Sequence, residues 1–320
     1  MLLPEYGDSF MTKAIFFFVA SLLLLLPFVF NAGEIPIAHQ LIVCSPFLLF
    51  LGISHGAIDN ILFLRNNQLK NVEFVGIYLA FIGFNVLLWI TLPIIAYILF
   101  LILSAYHFGQ SQFSHYFNKQ PLSHKTLYLF WGFSILTGLI YFNIEEMRLI
   151  MIEQEEFAVF SPLHQENYML YIFLTTTLGA LVLMVFLTFK KSLKLEALLM
   201  EILVIALILI CFYLMPLLIG FTLYFVILHS FKVLREEYKF LNSEREVRSI
   251  GHFIMMVAPF TLFSIAGIAF LFGINYFDII SLSYGYILLI AISSITLPHI
   301  FVMNRFYNLL FSKGFYKTFS

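Results

Sequence analysis

Four histidines, His55, His107, His229 and His299, lie inside long apolar runs of the 320-residue chain. An ionisable side chain is costly in such surroundings, so each marks a candidate site. Neutral imidazole is a ligand for iron, zinc, copper or nickel. The four are accompanied by no cluster of thiolates or carboxylates, which argues against an iron–sulfur cluster or a di-iron carboxylate centre. The HxxxH and HxxHH boxes that crowd two metals together are also absent. An all-histidine ferrous site would leave coordination positions open for dioxygen. Asp59 reads as the only carboxylate well inside an apolar run, and it follows His55 by one helical turn on the same face. It could orient His55 or another imidazole through the second ring nitrogen. The alternative role is a helix–helix hydrogen bond with Asn60, Ser54 or a backbone group.

The elements that must carry these residues are membrane helices. Hydrophobic residues make up 62% of the chain and charged residues 11%, with mean hydropathy +0.97. So little polar surface cannot cover the core of a soluble protein of this length. Counting apolar stretches of about 20 residues gives ten spans, at roughly 13–31, 41–64, 72–91, 94–117, 124–143, 168–189, 195–214, 216–239, 252–273 and 283–310. Pro93 and Pro216 make the joints between the third and fourth and the seventh and eighth spans. Placing both termini in the cytoplasm puts all 17 Lys and Arg except Arg148 on the cytoplasmic side, as the positive-inside rule requires. The longest outer connection, around 144–167, is acidic and has room for a short interfacial helix near Met147 to Phe160. The first span is too long for the apolar core of a signal peptide. No repeat or linker divides the chain, so a single all-α transmembrane domain over 1–320 is expected. A net charge of −1 offers no basic field for nucleic acid, and Cys44 and Cys211 show no pairing pattern.

In this topology the four histidines fall in spans two, four, eight and ten, all running from outside to inside. Each sits roughly 13 to 16 residues from the outer end, a depth of about 20 to 24 Å at the helical rise. Independent buried histidines have no reason to share a depth, whereas ligands of one ion must. Separately hydrogen-bonded core histidines remain the competing reading. The other five, His39, His115, His124, His164 and His252, are expected near helix ends, where an imidazole reaches water or headgroups. Aromatic residues flank the four, including Tyr106, Phe108, Tyr224, Phe225, Phe231, Phe301 and Tyr307. They could line an apolar tunnel or simply pack between helices. Gly56, Gly109 and Gly220 could admit close helix approach or leave room for a substrate.

The motifs Gly52-Ile53-Ser54-His55-Gly56-Ala57-Ile58-Asp59, Ser104-Ala105-Tyr106-His107-Phe108-Gly109, His229-Ser230-Phe231-Lys232 and Leu297-Pro298-His299 resemble those of the Brp/Blh family of membrane β-carotene 15,15'-dioxygenases. The resemblance covers about three quarters of the chain. It implies cleavage of the central double bond of β-carotene, or a related carotenoid, with O2 to give retinal. It also implies Fe(II) held by His55, His107, His229 and His299, Asp59 in support, and a substrate tunnel beside Tyr106, Phe108, Tyr224 and Phe231. A multi-pass location in the cell membrane among lipid, and a functional link to a microbial rhodopsin, follow from the same likeness. The chain departs from the family's pattern at Ser54 and Asn60, at Gln110-Ser111-Gln112 after HFG, and at Val233, where the third motif usually carries a second histidine. If that histidine is a ligand the chain lacks one. If it only supports the ligands the set of four is complete, and the depth argument favours this, since position 233 lies about 6 Å nearer the cytoplasm. Two other classes compete. A haem-binding electron-transfer protein would use facing imidazoles, and a proton-coupled transporter would use His55, Asp59 and His107 as a relay.

Overall fold

The computed structural model describes residues 8–64, 70–117, 119–313 and 315, with the side chains of Asp8, Ser9 and His55 outside the description. Arg65 and Lys317, counted above on the cytoplasmic side, lie outside these residues. Among the described residues the chain is helical with no strand. Nine helices among the described residues are long and apolar enough to cross a membrane, and the polytopic helical bundle expected from composition is present.

The long helices run as α1 (Asp8–Ala32), α4 (Asn71–Thr91), α5 (Pro93–Phe113), α6 (Leu122–Phe142), α8 (Glu166–Phe189) and α9 (Leu195–Leu214), then α10 (Leu217–Leu223) continuing into α11 (Phe231–Ser243), α12 (Ile250–Tyr276) and α13 (Tyr284–Ser312). Pro93 is the first residue of α5, and Pro216 precedes α10 after an extended Met215, as the restriction on the residue before proline demands. The acidic outer connection folds as α7 (Ile144–Glu153) and a 3₁₀ stretch, Glu155–His164. Its carboxylates serve helix N-termini. Glu146 accepts from the Leu217 amide at 3.3 Å and from Gln40 at 2.7 Å, and Glu156 accepts from the Ser283 amide at 2.8 Å.

The second expected span is not one α-helix. Continuous apolarity over residues 41–64 predicts one helix. The backbone instead forms α2 (Ile37–Phe47), a π-helical turn at Leu48–Gly52, a 3₁₀ turn at Ile53–Gly56 and α3 (Asp59–Leu64). Pro46 lies just before the π turn and removes a backbone donor. Hydropathy does not record hydrogen-bond register, so this break leaves no trace in a span count. Such a break is tolerated at membrane depth where protein covers it, and Gly52, Ser54, Ile58 and Asp59 are all buried. A second π-helical stretch, Tyr224–Ser230, joins α10 to α11. The two π segments pack together, and Gly52 sits at the crossing. A Cβ there would come within 2.7 Å of the Phe225 ring.

Helix α5 is braced on α6 by backbone contact. A Cβ on Gly109 would fall 1.9 Å from the Tyr128 carbonyl oxygen, and one on Gly132 would fall 1.8 Å from that of Ala105. Only glycine fits at either position, and the pairing fixes the height and rotation of α5, which carries His107. The core is in three parts. The largest is built mainly from α5, α6, α9 and the α10 segment, a second joins α3, α11, α12 and α13, and a small outer one holds Trp89, Tyr97, Phe160 and Tyr286.

Candidate metal centre

Three of the four expected histidines meet. The His107 ring lies 5.0 Å from that of His229 and 5.1 Å from that of His299, edge to face in both cases. All three are buried. They arrive on α5, on the Tyr224–Ser230 π stretch and on α13, so the equal depth inferred from spacing is realised for these rings. His55 stands in the Ile53–Gly56 turn. A Cβ on its neighbour Gly56 would lie 3.2 Å from His299 Nδ1, so this turn runs directly against the His299 imidazole.

The rings are held from behind. Asp59 brings its two carboxylate oxygens to 2.9 and 3.1 Å from His299 Nδ1, and also accepts from the Tyr78 hydroxyl at 3.0 Å. With a carboxylate as acceptor, Nδ1 carries the proton and Nε2 carries the lone pair. Ser111 does the same for His229. Its hydroxyl donates to the Phe108 carbonyl at 3.0 Å, so it acts as acceptor toward His229 Nδ1, 3.0 Å away. His229 is further clamped between Phe225, stacked at 5.3 Å, and the edge of Phe108 at 4.8 Å. Fixing one ring nitrogen so that the other is free to ligate is how surrounding groups prepare metal-binding histidines.

Donor chemistry therefore fits a borderline divalent ion such as Fe(II). Among the described residues no three His, Cys, Asp or Glu side chains close a metal-binding group by themselves, and the His55 side chain lies outside that set. The rings also approach one another more closely than a flat macrocycle between them would allow.

Asp59 supports an imidazole, that of His299. Phe108 and Tyr224 pack edge to face at 5.6 Å beside His229. Tyr106 packs instead on Tyr128 of α6 at 5.9 Å. Phe231, the first residue of α11 after the π stretch, is 44% exposed. Phe301 is likewise exposed and stacks on Phe81. Tyr307 is buried but donates to Glu236 at 3.2 Å, away from the rings. Val233 joins the apolar cluster of Ile58, Met303 and Phe306. Two of the histidines placed at helix ends are buried with both ring nitrogens hydrogen-bonded. His124 binds the Lys119 carbonyl and Ser192, and His164 binds the Phe160 carbonyl and Tyr97. Helix ends fold under neighbouring segments here, which no hydropathy window reports.

Several polar groups escaped the sequence reading. Ser111 lies one helical turn after His107, but its partner His229 is on another helix, so spacing carries no signal of its role. Asp59 is not the only buried carboxylate, since Glu201 and Glu237 are fully buried and Glu236 nearly so. Glu201 accepts from Gln112 at 2.8 and 3.0 Å and from Tyr116 at 2.9 Å. The buried Lys232 ammonium donates to the Gln112 carbonyl at 2.8 Å and lies 3.3 Å from His115 Nδ1.

Fold and site together define a polytopic helical membrane protein with a buried imidazole cluster at the junction of two π-helical breaks. Within that class the chain belongs to the β-carotene 15,15'-dioxygenase family, whose model matches residues 47–307. The match takes in all four motif histidines. No curated relative and no solved structure matches the chain.

Proposed function

We propose that the protein is an iron-dependent dioxygenase that splits the central 15,15' double bond of β-carotene, or of a carotenoid with the same central polyene, to give two molecules of retinal. The carbon–carbon double bond and the O–O bond break, two aldehyde carbonyls form, and no net proton or outside reductant is needed. Fe(II) would be held by His55, His107, His229 and His299, and a ferrous ion in an all-imidazole set supplies activation of dioxygen. The observation that supports this most strongly is the meeting of His107, His229 and His299 with Asp59 and Ser111 behind two of the rings, in a chain of this family.

Asp59 and Ser111 hold the Nδ1 protons of His299 and His229, which keeps each Nε2 lone pair available and the ring planes fixed. Phe108, Tyr224 and Phe225 exclude water from the cluster and offer flat apolar faces to a polyene. The scissile bond is apolar and needs no acid or base, so the bond that is cut is chosen by where the walls place the polyene relative to the imidazoles. Substrate enters sideways from lipid in the cell membrane, and the retinal passes to a retinal-binding membrane protein such as a microbial rhodopsin.

Expression in carotenoid-accumulating bacteria, with extraction and chromatography of the pigments, tests this reading. Retinal is expected with the unaltered chain and not with His55→Ala or His299→Ala. Intact β-carotene despite good expression and added iron would overturn it.

A further inference from the structure

Glu237 lies on α11 with no exposed surface, and among the described residues neither carboxylate oxygen has a hydrogen-bond partner. The charged groups it faces are Asp59 and Glu236, both acids. Among the described residues the buried cation on the same helix, Lys232, interacts instead with Glu236 and Glu201. An isolated carboxylate in such a place is expensive, and a second carboxylate beside it makes matters worse. Such a group carries a negative charge only where something positive offsets it. Asp59 is bonded to His299 and interacts with Glu237, and α11 packs against the Ile53–Gly56 turn that carries His55, so this carboxyl is linked to the candidate metal centre through Asp59. Four neutral imidazoles around a divalent ion leave two positive charges uncompensated in a low-dielectric interior, where charge pairs interact far more strongly than in water.

We infer that Glu237 is a further positioning residue of the metal centre, the second buried carboxylate that, together with Asp59, balances the charge of a divalent ion held by the histidines. This rests on the function proposed above. It also accounts for how the chain manages with Val233. The apolar side chain packs in the core, and the polar contribution from α11 comes one helical turn further on. Glu237 acts through charge and through its neighbours, with no contact to substrate.

Titration of the metal-free full-length protein in lipid nanodiscs with Co2+, followed by visible absorption, tests the inference without reference to activity. Glu237→Gln keeps the shape and removes the charge, and is expected to weaken Co2+ binding by about 10- to 100-fold. Glu237→Asp, which restores the charge on a shorter stem, should recover part of that loss. The metal-free Glu237→Gln protein should unfold no more easily than the unaltered one, because an uncompensated buried carboxylate stabilises nothing without the ion. Equal Co2+ affinity in Glu237→Gln and the unaltered chain would overturn the inference while leaving the proposed function standing. So would a metal-free Glu237→Gln protein that fails to fold. Absence of Co2+ binding by the unaltered chain would overturn both.

Discussion

Ser293 and Ser294 lie on the same helix as His299, a little over one turn away, and the two sets meet the cost of a polar group in an apolar bundle in opposite ways. The serine hydroxyls stand 3.1 and 3.0 Å from the side-chain amide of Asn85, and Trp89 Nε1 donates to Ser293 at 2.7 Å. Every group serves another protein group, and the result clamps α4 to α13. His299 is held on one nitrogen by Asp59 and turns its ring toward His107. A polar cluster that closes on itself holds helices together. One that is buttressed from the rear and converges at the front is built to receive something.

Removing a group from each cluster should therefore give different kinds of loss. His299→Ala is expected to abolish retinal formation in carotenoid-accumulating cells, with the protein still inserted and extractable. Asn85→Ala should instead lower thermal stability, by about 1–2 kcal/mol, with retinal formed per folded protein within about twofold of normal; a loss of activity without a loss of stability would break the contrast. Gly109→Val pushes α5 from α6 at a backbone contact and is expected to reduce both yield and iron content, since His107 rides on that contact. Asp59→Asn keeps shape but alters the grip on His299, and should cut product formation by about 10- to 100-fold. Tyr78→Phe, which removes one hydrogen bond to Asp59, should cost much less.

The smallest expected effect lies outside the membrane-spanning helices. Burial of His164 in the outer 3₁₀ stretch holds its imidazole below the usual histidine range. The unfolded chain then binds the proton more readily, so stability is lost as pH falls through about 6.5 toward the folded value. His164→Gln should flatten the fall in melting temperature between about pH 7 and pH 5, read by thermal unfolding in the same detergent.

Much of this was legible in the sequence. The joints at Pro93 and Pro216 and the shared depth of His107, His229 and His299 follow from apolar run length and a fixed rise per residue, whereas the ten expected spans exceed the nine long apolar helices among the described residues. Three things do not. The π and 3₁₀ breaks around His55 and His229 are changes of backbone register that side-chain apolarity does not encode. Phase matters too. Phe231 is exposed directly after the π stretch, and apolarity alone does not report which way a side chain faces. Finally, the partners of Asp59 and Ser111 are on other helices, at separations of 240 and 118 residues, and spacing along one helix cannot report a neighbour across the bundle.

We propose that these imidazoles hold one iron. Iron analysis and X-ray absorption of anaerobically purified protein, with His107→Ala beside it, test that most directly. About one iron per chain with an imidazole coordination pattern is expected, with loss of that iron in the variant. An iron-free unaltered protein after reconstitution, or an unchanged iron spectrum in His107→Ala, would contradict it.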